Sequence, residues 1–119
     1  MNDPSGREPA RNPNDLERLL VSREREGDVD GMIALYEPSA VLIDDDETLL
    51  RGREAIREFY AAMVATGRKF HFGDQQEPLI SGDLALTSTR FPGGRVTAEV
   101  ARRQRDGTWL WVIDRFSIS

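Results

Sequence analysis

The hydrophobic pattern changes its period near residue 68, and that change most constrains what this chain can fold into. Before it, apolar side chains recur at helical spacing: Leu16, Leu19 and Leu20, then Val29, Met32, Ile33 and Tyr36, then Ile56, Phe59, Tyr60 and Met63. After it, apolar and polar residues alternate. The turn signals SGD (81–83), PGG (92–94) and RDG (105–107) divide this half into strand candidates at 69–80 (interrupted near Pro78), 83–91, 95–104 and 108–118. Hairpin-linked strands make an antiparallel meander, and the helices that precede it must cover one of its faces. An α+β plan follows.

Local chemistry sets the element ends. Asn12 and Asn14 around Pro13 suit the start of a first helix that stops at Gly27, and Asp28 is placed to cap a second. Pro38 prevents that helix from continuing, and Ser39 turns the chain into a short strand ending at Asp44. A third helix runs from Gly52 to Gly67. Residues 1–13 hold three prolines and almost no large apolar side chain, so a disordered arm is expected there, followed by one domain over 14–119.

In the early strand, Ala40, Leu42 and Asp44 share one side. Asp44 is therefore either a carboxylate aimed into a pocket or the first residue of a solvated acidic loop, Asp44 to Glu47. In a half-apolar pocket, desolvation would raise its pKa toward the range a general base needs. Tyr36 and Tyr60 lie on apolar helical faces, where a tyrosine serves as core or as a pocket hydroxyl.

Several chemistries are excluded. With a net charge of −5 and no long basic stripe, nucleic acid is not an expected partner. No apolar run is long enough to span a membrane, and the absence of a signal pattern points to the cytoplasm. Without cysteine there are no disulfides or thiolates, and His71 alone supports neither a histidine metal cluster nor a Ser-His-Asp triad. The acidic loop lacks calcium-loop spacing, and no glycine pattern cradles phosphate, so neither metal nor cofactor is expected.

Three stretches, GDVDGMIALYEPSAVLID, GREAIREFY and RDGTWLWVIDRFS, together with the order of elements, resemble the SnoaL-like branch of the NTF2-like superfamily, which includes ketosteroid isomerase and limonene epoxide hydrolase. The resemblance covers about 14–119. It implies an NTF2-like (cystatin-like) cone, with three N-terminal helices on a curved, mostly antiparallel sheet and a pocket at one end. It places Asp44 as general base, Tyr36 and Tyr60 in the pocket network, and Val112, Asp114 and Phe116 on the pocket side of the closing strand. The isomerase's donors, a tyrosine and a protonated aspartic acid, would fall near Leu20 and Val100, both aliphatic here. Leu20, Leu42 and Val100 then line the substrate pocket with the two tyrosines. The resemblance also implies a homodimer through the outer sheet face, where Trp109 and Trp111 are candidates.

Asp114 needs a partner or water to offset burial, either Arg115 or an arginine of a neighbouring strand. Arg90, if it shares a face with Leu84, Leu86 and Ser88, could form a cluster with Asp44 and Asp114 that activates water or holds a polar substrate end. The expected function is a small-molecule pocket with isomerase, cyclase or hydrolase chemistry on Asp44. The competing reading is a non-catalytic binding or interaction module that keeps the cone.

Overall fold

Three helices form the first layer of the computed structural model, which describes residues 6–67 and 69–118. Helix α1 (Asp15–Arg25) buries Leu16, Leu19, Leu20 and Val21. Helix α2 (Val29–Ile33) starts as expected, with Asp28 Oδ1 accepting from the Gly31 amide at 3.0 Å. Helix α3 (Gly52–Ala65) buries Ile56, Tyr60 and Met63. It ends at Gly67, whose φ of 77° suits a residue without a side chain. Among the described residues no helix is long and apolar enough to cross a membrane.

The expected loose arm is corrected over 6–13. Arg7 grips both oxygens of Asp28 at 2.8 Å, and the carbonyl of buried Ala10 accepts from the Trp109 amide at 2.8 Å. Buried Arg23 donates to Glu8 O at 2.5 Å and Gly31 O at 2.7 Å, tying the segment to two helices. Polar composition concealed this because backbone and charge, rather than apolar surface, make the attachment. The first five residues of the expected arm lie outside the described residues.

The strands are β1 (Tyr36–Ile43), β2 (Leu49–Arg51), β3 (Asp74–Gln75), β4 (Leu79–Ser81), β5 (Leu84–Thr87), β6 (Thr89–Arg90), β7 (Ala98–Arg103) and β8 (Trp109–Arg115). Six of them form one sheet in the order β2-β1-β8-β7-β5-β4, and β3 pairs with β6 separately. Every pairing is antiparallel except β1 with β8. The α+β plan of three helices on a mostly antiparallel sheet is therefore observed. Tyr36 opens β1 instead of closing α2. Between Tyr36 opposite Trp111 and Val41 opposite Ile113 the register shifts, and Pro38 sits in the irregular stretch, where its missing N–H breaks no ladder bond.

A second irregularity decides which side chains face inward. Val100 lies opposite Ile113 and Ala101 opposite Trp111, leaving Val112 as an extra residue in β8. The bulge inverts the alternation, so Trp109 and Trp111 before it and Asp114 and Phe116 after it are all buried. This corrects two expectations. The tryptophans, 5% and 1% exposed, belong to the core and not to an outer face, with Trp111 packed on Tyr36 at 5.2 Å between ring centroids. Val112, the extra residue at the bulge, is half-buried where Asp114 and Phe116 are buried, and it falls outside the alternation expected to place it with them. The outer face instead carries an in-register row of Leu79, Leu86, Val100, Ile113 and Val41, which moves Val100 away from the pocket side.

Candidate functional site

The inner face carries a matching row: Thr87, Glu99, Asp114, Leu42 and Leu50, one from each of five neighbouring strands. Two carboxyls thus stand directly opposite one another on β7 and β8, both 4% exposed. Helix α1 brings a third, since Glu17 lies one turn before Leu20 and both line a chamber with Phe70, Phe91, Arg95, Thr97, Glu99, Asp114 and Phe116. The chamber measures about 20 Å³, room for one water or for the reacting end of a larger molecule.

Each inner carboxyl has its own hydrogen-bond support. Tyr36 Oη donates to Asp114 Oδ2 at 2.5 Å and lies 2.6 Å from Tyr60 Oη, so β1 and α3 together build a hydroxyl relay ending on Asp114. Thr87 Oγ1 donates to Glu99 Oε1 at 2.8 Å, and Thr97 bonds the same side chain. Thr97 is held in turn by the Thr89 amide at 3.0 Å.

The surroundings favour protons on these carboxyls. Burial raises Asp114 well above its ordinary value, and the charge of Glu99 raises it further, while the Tyr36 hydrogen bond opposes. Burial also raises Glu99 against the opposing bonds from Thr97 and Thr87. Glu17 is pushed up to about 7 by burial and then by Glu99, with Arg95 opposing. Two coupled carboxyls at this separation titrate as a pair. Tyr36 and Tyr60 are raised by burial and by Asp114, so their hydroxyls remain donors.

Beside the chamber lies a vestibule of about 790 Å³ lined by Lys69, Phe70, His71, Phe72, Phe91, Pro92 and Arg95. Phe70, Phe91 and Arg95 line both spaces. The Arg95 guanidinium lies 4.3 Å from the Phe91 ring centroid, and Nη1 donates to Phe116 O at 3.3 Å. The wall carrying Phe70 is fastened from beneath, since the buried Glu24 accepts from the Phe70 amide at 2.7 Å. Among the described residues no group of three or more metal-ligating side chains is arranged to hold a metal ion.

The expected Asp44, Arg90 and Asp114 cluster is not formed. Asp44 follows the last residue of β1, and its Oδ1 accepts from the Asp46 and Thr48 amides, each at 2.9 Å. A short carboxylate that bonds its own turn leaves the strand alternation that would have aimed it inward. Arg90 is exposed on the two-stranded ribbon opposite Asp74, on neither β5 nor β7. Asp114, Tyr36, Tyr60, Leu20 and Phe116 meet in or against the chamber, with Leu42 beside Asp114 in the inner row. Glu17, Glu99 and Arg95 went unrecognised in the sequence. The available signal for Glu99 was its alternation with Ala101 in TAEVA, one residue from the expected donor position at Val100.

The sequence model of the SnoaL-like domain matches residues 17–119. No curated protein matches the chain. Among solved structures, a candidate calcium/calmodulin-dependent protein kinase type II association domain from Thiobacillus denitrificans superposes with a TM-score of 0.72 at 18% identity, covering 90% of this chain and 93% of that one. A candidate dehydratase of the NTF2-like family from Streptomyces avermitilis gives 0.69 at 18% identity, covering 86% and 90%. A ketosteroid isomerase-like protein from Erwinia carotovora atroseptica gives 0.66 at 18% identity, covering 89% and 93%. At such identities the likeness is one of fold. The match over 17–119 makes this chain a member of the SnoaL-like domain family, and its solved neighbours share an NTF2-like fold.

Proposed function

We propose that this chain is a small-molecule pocket protein that performs acid–base chemistry with the Asp114 and Glu99 pair, assisted by Glu17, and that Asp44 is not its base. The observation that carries the reading is the direct opposition of the two buried carboxyls, with a third facing them across a chamber of about 20 Å³. Raised pKa values let one member remain a carboxylic acid while its neighbour is ionised.

The ionised member removes a proton from a carbon beside a carbonyl, and the C–H electron pair moves toward the carbonyl oxygen. A protonated neighbour gives that oxygen its proton. Return of the abstracted proton to a different carbon, while the enol oxygen gives its own proton back to the neighbour, restores the carbonyl and both carboxyls and completes an isomerisation. The donors missing at Leu20 and Val100 are supplied from Glu17 and Glu99, each at the same chamber. A donor placed on a developing oxyanion is worth roughly 10²–10³ in rate. The vestibule takes the body of the molecule.

Deuterium wash-in tests this without knowledge of the substrate. A panel of small cyclic enones and diketones is incubated in D2O and followed by proton NMR. Exchange should fall at least tenfold in Asp114→Asn and Glu99→Gln and persist in Asp44→Asn. Exchange that survives in both chamber variants and disappears in Asp44→Asn refutes the assignment. The narrowness of the chamber favours one competing reading, a binding module without turnover, for which panel compounds bind without exchange.

Assembly as a homodimer through the outer face is part of the same proposal, with residues other than the tryptophans. Leu79, Leu86 and Ile113, exposed by 69%, 46% and 50%, stand in one row with Val100 and Val41. An apolar row across five strands supports closure by a second copy.

A further inference from the structure

We infer that the vestibule is a carboxylate seat, and that the molecule entering the chamber is a planar, largely apolar monocarboxylic acid bound through Arg95, with Lys69 and His71 beside it. The inference rests on the pocket reading above and names the class of ligand.

The charge distribution is the first support. The chain is acidic overall, yet among the described residues the vestibule lining contains Lys69, His71 and Arg95 and no aspartate or glutamate. The carboxylates nearest these cations hold them loosely: Asp45 stands 3.5 Å from Arg95, and Glu24 3.8 Å from Lys69. Both distances exceed that of a charge-assisted hydrogen bond.

The geometry of Arg95 is the second. Its guanidinium carbon lies over the Phe91 ring, and the one hydrogen bond the guanidinium makes among the described residues leaves from Nη1 at 3.3 Å. Nε and Nη2, an edge matched to the two oxygens of a carboxylate, make no hydrogen bond among the described residues. His71 is exposed and makes no hydrogen bond among the described residues.

The remaining wall sets the rest of the class. Phe70, Phe72, Phe91 and Pro92 present aromatic and apolar surface to a cavity of about 790 Å³, which suits a flat ring system. Asp45, 3.5 Å from Arg95, leaves a negative charge beside the seat that repels a dianion more than a monoanion, which favours carboxylate over phosphate. Because Arg95 lines both spaces, an acid seated on it points its neighbouring carbons at Glu17, Glu99 and Asp114. The reacting carbon is therefore placed a few bonds from the carboxylate.

The test uses four probes of one shape: 2-naphthoate, 2-naphthamide, 2-naphthylmethylammonium and 2-naphthyl phosphate, titrated by calorimetry and by amide NMR shifts. Naphthoate should bind about tenfold tighter than naphthamide, as expected for one charge-assisted pair. It should shift the Phe70, Phe91 and Arg95 amides and weaken as salt rises. Arg95→Gln should remove the preference, Lys69→Gln should reduce it several-fold, and Asp44→Asn, outside both spaces, should keep it. Unchanged melting temperatures in the variants exclude misfolding as the cause. Equal binding of acid and amide, tighter binding of the ammonium or phosphate, or a preference that survives Arg95→Gln overturns the seat. Loss of the preference with deuterium exchange intact refutes the seat and spares the acid–base reading. A naphthoate preference without carbon exchange supports the seat and counts against catalysis.

Discussion

Replacing Glu17 with glutamine should stabilise the protein at alkaline pH, although the substitution removes a charge from a half-buried helix position. Glu17 is pushed from an ordinary 4.5 up to about 7, chiefly by burial and next by Glu99. Below pH 4.5 the carboxyl is protonated in folded and unfolded chains alike. As pH rises the unfolded chain releases the proton first, so stability is lost progressively between 4.5 and about 7. At about 1.4 kcal/mol per unit the full displacement corresponds to roughly 3 kcal/mol. Glu17 is only half-buried, and solvent screening reduces that to about 1–2 kcal/mol. Glutamine keeps the shape without the ionisation. Urea unfolding followed by the fluorescence of the buried Trp109 and Trp111 at pH 4.5, 6 and 8 measures the effect. The variant should match wild type at pH 4.5 and exceed it by about 1–2 kcal/mol at pH 8, a melting shift of roughly 3–5 °C for each kcal/mol. Equal or lower stability of the variant at pH 8 would refute burial of an ionisable carboxyl at this position.

Two further outcomes follow from the same geometry. Tyr36→Phe removes the donor to Asp114 and the partner of the Tyr60 hydroxyl, both inside the core, so it should cost about 1–3 kcal/mol in urea unfolding and raise the Asp114 pKa further. Ile113→Lys places a charge in the middle of the outer apolar row, and sedimentation should find a folded monomer for the variant and a dimer for wild type.

The helices were legible in the sequence because their signals are local. Asp28 caps α2 and Gly67 ends α3 as their residue types dictate. The site was less legible because it depends on events between strands. One extra residue at Val112 turns Trp109 and Trp111 inward while keeping Asp114 and Phe116 inward, and no alternation count in a single strand reveals that. The same sensitivity to register separates Glu99 from Val100, neighbours on opposite faces of β7. Asp44 was misplaced because an aspartate can satisfy itself on its own turn as soon as a strand ends. For Tyr36 and Tyr60 the sequence leaves two uses open, core or pocket hydroxyl, and the structure shows both buried in the core, their hydroxyls 2.6 Å apart and Tyr36 donating to Asp114.

The central claim is that burial makes the chamber carboxyls hold their protons above the ordinary carboxylate range, Glu17 to about 7. Carbon-detected NMR titration of the side-chain carboxyls of Glu17, Glu99 and Asp114 between pH 3 and 9 measures this directly. The expected result is Glu17 titrating near 7, with Glu99 and Asp114 both above their ordinary values and moving in coupled steps. Three independent titrations at or below the ordinary 4.5 of glutamate and 3.8 of aspartate would contradict it.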